Sequence, residues 1–325
     1  MKFLHEDPEW GDLLGIVASV TGKQVAFVEK DYWVTHALWA LDVQGFDLWF
    51  KGGTSLSKGF SLIERFSEDL DLRLDAGRVP GLTNPVLPWD DPNKKRRAKG
   101  TAERDLWFDA LNATVDIPGC TIRRNPLGSD DRVRSAWLEV LYPILHAELL
   151  PSEMRPFVLL EVGQARIVPS VQRSVSSWVH DHLRARGQLD GVVDNRPAAV
   201  RCVHPMVTCL EKLDAIARKF DNHKAAADFV RHYEDAAHIV EHRDSLPEFE
   251  LGLHGLVARL DDEDGKRMPS SSHAAFNLAD DRRWHELEVA WGAIGPMYWG
   301  PRMSLSDAAA MLRTFLDEIA GVHVA

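Results

Sequence analysis

The pattern of hydrophobic and polar positions divides the chain into a mixed first part and an almost wholly helical second part. Over residues 46–75 an apolar run is followed by two glycines, a helical segment and a stretch in which leucine alternates with aspartate. Apolar positions at near-helical spacing precede it, over residues 9–43. Beyond about residue 200 the helical period recurs over residues 205–220, 222–241, 246–262, 282–294 and 304–320.

The segments between these two parts complete the predicted fold. Residues 101–116 have a helical pattern, residues 133–142 and 156–163 are typical of strands, and Met268–His273 is typical of a linker. We therefore predict an α+β protein. An α/β domain with N-terminal helices would span residues 1–200, and a helical domain would span residues 201–325.

The alternating stretch carries the first candidate chemistry. Asp69 and Asp71 lie two residues apart on a predicted strand, so both side chains point to one face, while Leu70 and Leu72 point into a core. Two carboxylates at this spacing suit Mg²⁺, which takes a few carboxylate oxygens together with substrate phosphates. Such a site supports phosphoryl or nucleotidyl transfer. An Asp-x-Asp pair alone is more typical of a solvated strand.

A small-residue turn precedes the aspartates. Gly52 and Gly53 follow the apolar run Phe46–Phe50, and glycines permit a tight turn and a close approach of the backbone to a ligand. We expect Thr54 or Ser55 to cap a helix that continues over residues 56–66, whose free N–H groups would form an anion site. An ordinary strand-to-helix turn has the same pattern, but the turn and the aspartates together are far more specific.

Three more charged residues are candidates, each with a plainer alternative. Glu161 lies in an otherwise apolar strand, where it would be a third metal ligand or face solvent from an edge strand. Lys212 lies on a helix, as a solvated side chain or as a point charge on a triphosphate. Asp235 could form a surface pair with Arg231, or it could orient Lys212 or act as a base.

Composition and charge narrow the class of protein. With 325 residues, 45% hydrophobic and 27% charged, the chain is typical of a globular protein. No apolar run reaches the roughly eighteen residues that span a bilayer, and the N-terminus lacks a signal-peptide core, so we expect no membrane and a cytoplasmic location. The net charge of −11 argues mildly against bulk nucleic-acid binding. The basic run Lys94–Lys99, in a predicted loop over residues 80–100, would be a solvated loop or a local RNA patch.

The motifs resemble the AbiEii/AbiGii toxin nucleotidyltransferases, the toxin halves of type IV toxin–antitoxin and abortive-infection systems, which include the MenT-type toxins. The resemblance covers roughly residues 25–240, and residues 241–325 match only in helical character. Its most specific part runs from the Gly-Gly turn to Asp71. It rests on Glu29–Trp33, Lys51–Leu56, Arg65–Leu72, Glu211–Leu213 and Arg231–Asp235.

The resemblance implies a polymerase-β-like nucleotidyltransferase domain with a mixed sheet and a helical C-terminal part. It implies an NTP as substrate, Mg²⁺ or Mn²⁺ as cofactor, a cognate antitoxin as partner and, for MenT-type relatives, transfer of a nucleoside monophosphate to the tRNA 3′ end. By position, Asp69 and Asp71 would hold the metal with Glu161 as a third ligand, Lys212 would bind the triphosphate, and Asp235 would be the last catalytic acid. The residues implied near the phosphates are Gly53, Thr54, Ser55 and Ser67.

Two other functions remain open from the residues. A small-molecule nucleotidyltransferase of the antibiotic-modifying kind also uses paired carboxylates. A non-catalytic protein that binds an NTP and acts through an antitoxin complex would keep the same nucleotide site. The fold alone cannot choose among these functions, and the family resemblance favours the RNA-directed toxin.

Overall fold

The computed structural model describes residues 1–87, 93–151, 154–264, 268–277 and 280–320. The chain forms two compact units. The first unit contains Met1–Gly59 and Ser67–Cys202, and the second contains Phe60–Phe66 and Val203–Ala325. A mixed sheet with helices, together with a helical region, confirms the predicted α+β class.

The helices and strands follow the chain in this order. Up to residue 203 the helices are α1 (Trp10–Thr21), α2 (Val25–Gln44), α3 (Gly52–Lys58), α4 (Lys94–Thr114) and α5 (Trp178–Ala185). The strands are β1 (Asp47–Lys51), β2 (Asp69–Asp75), β3 (Thr121–Asn125), β4 (Ser135–Leu141), β5 (Val158–Gly163), β6 (Ser170–Arg173) and β7 (Val200–Val203). The later helices are α6 (Pro205–Asp221), α7 (Arg231–Glu241), α8 (Gly252–Asp264), α9 (Ala274–Asn277), α10 (Asp281–Ala293) and α11 (Leu305–Ala320).

Strand β2 lies in the middle of the sheet. Among the residues that the structure describes, the sheet has seven strands in the order β3-β4-β5-β2-β1-β7-β6. Strand β2 runs antiparallel to β1 and parallel to β5. Its leucines, Leu70, Leu72 and Leu74, are at most 2% exposed, whereas the charged residues between them are half-buried. The predicted alternation of a core face and a polar face is therefore confirmed.

Helix α2 forms much of the core of the first unit. It packs against α1, α5, β1 and β5, and it buries charged residues as well as apolar ones. Each buried charge has a partner: Glu29 accepts from the N–H groups of Leu145 and His146, and Asp31 pairs with Lys58. Within the described ranges, no single helix is long and apolar enough to cross a membrane, and α1 with α2 passes that test only as a pair bent by 110°.

Four predicted elements have the wrong extent, one of them the helix predicted over residues 246–262, which is α8 and begins only at Gly252. The helix predicted over residues 56–66 is α3, which begins at Gly52 and ends at Lys58, and Ser61 beyond it has a positive φ of 54°. The helix predicted over residues 222–241 begins only at Arg231, since a turn with φ of 50° at His223 precedes it. The basic run from Lys94 is helical rather than a loop, and residues 88–92 of that predicted loop lie outside the described residues.

The segment Phe60–Phe66 belongs to the second unit although it lies between α3 and β2 in the chain. The N–H of Phe66 donates to the carbonyl of Met297 at 2.8 Å, and the N–H of Trp299 donates to the carbonyl of Glu64 at 3.1 Å. These main-chain bonds hold the segment against the residues that precede α11. It thereby adds Arg65 to the helical unit.

A buried hydrogen-bond network in the first unit is centred on Asn195. Its amide N–H donates to Nδ1 of His36 at 2.8 Å, and its carbonyl accepts from Nε2 of His180 at 2.9 Å. Nε2 of His36 donates to the carbonyl of Pro118 at 2.9 Å, and Ser177 donates to Nδ1 of His180 at 2.7 Å. Each ring thus uses one nitrogen as donor and one as acceptor, which requires a neutral imidazole. Burial accordingly lowers the pKa of both histidines to about 4.

We predict that the fold loses stability as the pH falls from about 6.5 towards 4. In that window the unfolded histidines, with an ordinary pKa of 6.5, bind protons that the folded ones do not, so acid favours the unfolded chain. Replacing His180→Gln should reduce the pH slope of the free energy of unfolding by up to about 1 kcal/mol per pH unit. Urea unfolding at several pH values measures this slope. The exposed His254→Gln is the control, and an unchanged slope in His180→Gln would contradict the account.

Candidate active site

Three carboxylates lie side by side on one face of the sheet. Asp69 and Asp71 lie on β2, and Glu161 on β5 is the direct register partner of Asp71. Strand β5 is flanked by β2 and β4, so the alternative that Glu161 faces solvent from an edge strand is wrong. The fold therefore brings the three predicted metal ligands to one face.

The three carboxylates repel one another. Burial, followed by the negative charges of Asp71 and Asp69, raises the pKa of Glu161 to about 7. A like charge nearby disfavours the ionised form, so this face is electrostatically suited to a cation. Carboxylate oxygens are the ligands that Mg²⁺ and Mn²⁺ prefer, and the donor set fits such an ion.

Two cationic side chains flank these carboxylates. Lys51 on β1 is the register partner of Asp71 and lowers the pKa of Glu161. The Arg155 guanidinium donates from Nη1 to Oδ1 of Asp69 at 2.6 Å. The negative charge of this face is thus partly neutralised by the chain itself.

The glycine turn fits closely against the aspartates. Gly52 has φ of +75°, and a Cβ at this position would lie 1.7 Å from Oδ2 of Asp71, so any larger residue would displace that carboxylate. Helix α3 begins at this glycine, and its N-cap Lys51 makes no side-chain cap. The prediction that Thr54 or Ser55 caps the helix is therefore wrong, because both residues lie inside it.

The hydroxyl residues of α3 face inward. Thr54 and Ser55 are each 1% exposed, and Thr54 donates from its hydroxyl to the carbonyl of Asp69 at 2.7 Å. Thr54 thus ties α3 to the first residue of β2. Gly53 is also buried, and Ser67 is half-buried two residues before the start of β2. The predicted phosphate-binding residues therefore lie around the start of β2.

A buried ion-pair group in the second unit is centred on Asp235. Arg65 donates to both carboxylate oxygens, from Nε to Oδ1 and from Nη2 to Oδ2, each at 2.7 Å. The Lys212 ammonium lies 2.8 Å from Oδ2. Burial alone would raise the pKa of Asp235, but these two cations hold it well below its usual range. Asp235 is therefore ionised.

The predicted alternatives, a solvated Lys212 and a surface pair of Asp235 with Arg231, are both wrong. Lys212 is 9% exposed rather than solvated, and burial lowers its pKa. Asp235 is fully buried and pairs with Arg65 and Lys212 rather than forming a surface pair with Arg231. The sequence contained Arg65 in a matching motif but gave no sign of its partner, which lies 170 residues away.

A different group of potential metal ligands lies at the C-terminal end of α7. Donor atoms of His238, Glu241 and His242 lie within 4.8 Å of one another, the only such trio in the part of the chain that the structure describes. Imidazoles suit zinc better than magnesium. Magnesium needs only one or two carboxylates plus substrate phosphates, so the more widely spaced oxygens on β2 and β5 still fit it.

Comparison with known proteins identifies the family. A family model described as the nucleotidyl transferase AbiEii toxin of type IV toxin–antitoxin systems matches residues 37–298. This range includes all the candidate site residues, and the chain belongs to the AbiEii family. A search of curated proteins finds no match. Membership confirms the resemblance and implies a nucleotidyltransferase that uses an NTP, with a cognate antitoxin as its partner.

We predict that Asp235→Asn strongly destabilises the protein. The substitution leaves two buried cations facing a neutral amide, which typically costs about 3 kcal/mol or more in the free energy of unfolding. Urea unfolding of the full chain measures the loss. Arg231→Gln is the matched control, because Arg231 is exposed on the same helix and its change should stay within about 0.5 kcal/mol. An Asp235→Asn loss as small as the control would contradict the role of this ion-pair group.

Proposed function

We propose that this AbiEii-family chain transfers a nucleoside monophosphate from an NTP to the 3′ end of tRNA and thereby blocks translation. The observation that carries the transfer chemistry is the face of β2 on which Asp69 and Asp71 lie beside Glu161. The family assignment supports nucleotidyl transfer in particular among the reactions that such carboxylates support. The tRNA acceptor follows from the likeness to MenT-type toxins.

In the proposed reaction the 3′-hydroxyl oxygen attacks the α-phosphorus of the NTP. A bond forms between these two atoms, the bond from the α-phosphorus to the oxygen that bridges to the β-phosphate breaks, pyrophosphate leaves, and the hydroxyl proton passes to water. A divalent ion, Mg²⁺ or Mn²⁺, would supply Lewis acidity and lower the pKa of the attacking hydroxyl. Asp69 and Asp71 would hold this ion, with Glu161 as a third ligand. The three carboxylates lie on two interior strands, β2 and β5, which would hold them in fixed positions.

The remaining roles follow the family pattern. Lys212 would bind the triphosphate and stabilise the charge that develops on pyrophosphate, and the ionised Asp235 would be the last catalytic carboxylate and would act by orienting Lys212. The 2.8 Å ion pair between them supports the orienting role. Gly53 and Ser67 would lie against the phosphates, whereas Ser55 is 1% exposed and its side chain would not reach them. Because the hydroxyls of Thr54 and Ser55 are buried, we assign their contribution to shaping this turn.

An exposed basic segment supports an RNA acceptor despite the net charge of −11. The first turn of α4 holds Lys94, Lys95, Arg96 and Arg97, and no acidic residue lies in it. Basic side chains at a helix N-terminus are opposed by the helix dipole, and an anionic partner would relieve that repulsion. We propose that this turn contacts the RNA backbone.

We predict that the protein labels tRNA from one NTP when it is incubated with Mg²⁺, total tRNA and each α-phosphate-labelled NTP in turn. Asp69→Asn should abolish the label, because the metal site loses a ligand. Asp75→Asn is the matched control and should retain it, because Asp75 lies at the other end of the same strand and pairs with Arg73. Gel analysis of the tRNA measures the transfer.

Three other outcomes would contradict the proposed acceptor, the proposed catalysis or the proposed metal site. Label on a small alcohol but not on tRNA would favour a small-molecule acceptor. Binding of an NTP without a labelled product from any acceptor would favour the non-catalytic alternative. Full transfer by a folded Asp69→Asn protein would remove Asp69 from the metal site.

A further inference from the structure

The backbone of Arg155 is held from two sides by a buried ion pair. Its N–H donates to the Glu68 carboxylate at 3.1 Å, and its carbonyl accepts from the Lys30 ammonium. Lys30 and Glu68 also pair with each other. The Lys30 side chain is completely buried and that of Glu68 is 13% exposed. Two side chains far apart in the chain thus fix the backbone of Arg155, three residues before β5 begins.

This clamp aims the Arg155 side chain at the predicted metal site. Glu68 directly precedes Asp69 in the chain, so the clamp ties Arg155 to the first residue of β2. The guanidinium donates to Oδ1 of Asp69 at 2.6 Å and lies 5.5 Å from the centre of the Trp137 ring. Trp137 on β4 is the register partner of Glu161. Arg155 therefore covers the same face of the sheet as the carboxylates.

An ordinary surface ion pair does not explain this arrangement. Exposed pairs contribute only about 0–1 kcal/mol, and the Arg155 side chain is 36% exposed. Burial disfavours the charged form of Lys30 and so lowers its pKa. Burying an ion pair is therefore costly, and this buried pair fixes the Arg155 backbone. Such fixation is useful where a cation must be presented in a defined position.

The guanidinium occupies Oδ1 of Asp69, one of the two carboxylate oxygens with which Asp69 would hold the metal ion. A divalent cation on Asp69 would displace the hydrogen bond from Arg155 and repel its positive charge. The clamp on the backbone would nevertheless keep the guanidinium within reach of the site. A planar guanidinium matches phosphate oxygens in a two-pronged geometry, so a nucleotide phosphate is its natural new partner.

We propose that Arg155 is a phosphate-binding residue that rests on Asp69 before metal binds and pairs with a phosphate of the metal-bound nucleotide afterwards. The inference rests on the proposed function, because it takes Asp69 as a metal ligand and an NTP as the ligand. Arg155 then opposes binding of the metal alone and favours binding of metal and nucleotide together. The negative charge of the carboxylates is thus balanced in both states, by Arg155 before metal binds and by the metal ion afterwards.

Arg155→Gln tests the inference without removing the clamp, since the hydrogen bonds of Lys30 and Glu68 to Arg155 go to its backbone atoms. Mn²⁺ binding without nucleotide is measured by electron paramagnetic resonance, and binding of each of the four NTPs with Ca²⁺ by calorimetry. We expect Mn²⁺ to bind about threefold more tightly, because its competitor on Asp69 is gone. We expect the best-bound NTP to bind roughly tenfold more weakly, because a charged hydrogen bond is lost.

Three control variants separate the possible causes. Arg134→Gln removes one exposed arginine that pairs with Asp130, and it should change neither constant. Arg155→Lys keeps the charge without the planar fork, so Mn²⁺ affinity should stay near that of the wild type while NTP affinity falls. Asp69→Asn should weaken Mn²⁺ binding, which tests the metal site itself.

The outcomes distinguish this inference from the proposed function. If Asp69→Asn weakens Mn²⁺ binding but Arg155→Gln changes neither constant, the role of Arg155 is overturned and the metal site stands. Weaker Mn²⁺ binding in Arg155→Gln would also overturn it, because Arg155 would then support Asp69 rather than compete with the metal. Unchanged Mn²⁺ binding in Asp69→Asn would remove the metal site on which both proposals depend.

Discussion

The accumulation of negative charge on one face of β2 is the constraint on which the first unit depends. The strand lies inside the sheet and buries Leu70 and Leu72 on its other face. A shift of one residue would bury the aspartates, so the core fixes the register that exposes Asp69 and Asp71. Neighbouring residues neutralise this negative charge and leave space for the carboxylates. Arg155 and Lys51 supply positive charge beside it, and glycine at position 52 leaves room for the Asp71 carboxylate.

The second unit also contains a negative charge that needs partners, the buried carboxylate of Asp235. Asp235 is held by two cations, and one of them, Arg65, comes from a segment that lies between α3 and β2 in the chain. A buried ion pair of this kind contributes little net stability, while the loss of one partner is costly. In the proposed function this ion pair orients Lys212 rather than adding net stability.

The sequence predicted what local patterns encode. Alternating Leu and Asp predicted β2 and its two faces, and the single charge in an apolar strand pointed to Glu161. Helix boundaries are less predictable. A Gly-Gly pair is typical of a turn, but α3 begins at it. Asn93 is the N-cap of α4, but the polar residues around it gave no sign that a helix begins there. The clamp around Arg155 and the partner of Asp235 depend on contacts between distant residues. No local pattern indicates such contacts.

The central claim is that Asp69 and Asp71 hold the divalent ion that carries the nucleotide. Anomalous diffraction from crystals grown with Mn²⁺ and a non-hydrolysable NTP analogue tests it most directly. We predict an anomalous peak for a manganese ion that is bonded to a carboxylate oxygen of Asp69, to one of Asp71 and to a phosphate oxygen of the analogue. A manganese peak at His238 and His242, with none at the two aspartates, would contradict it.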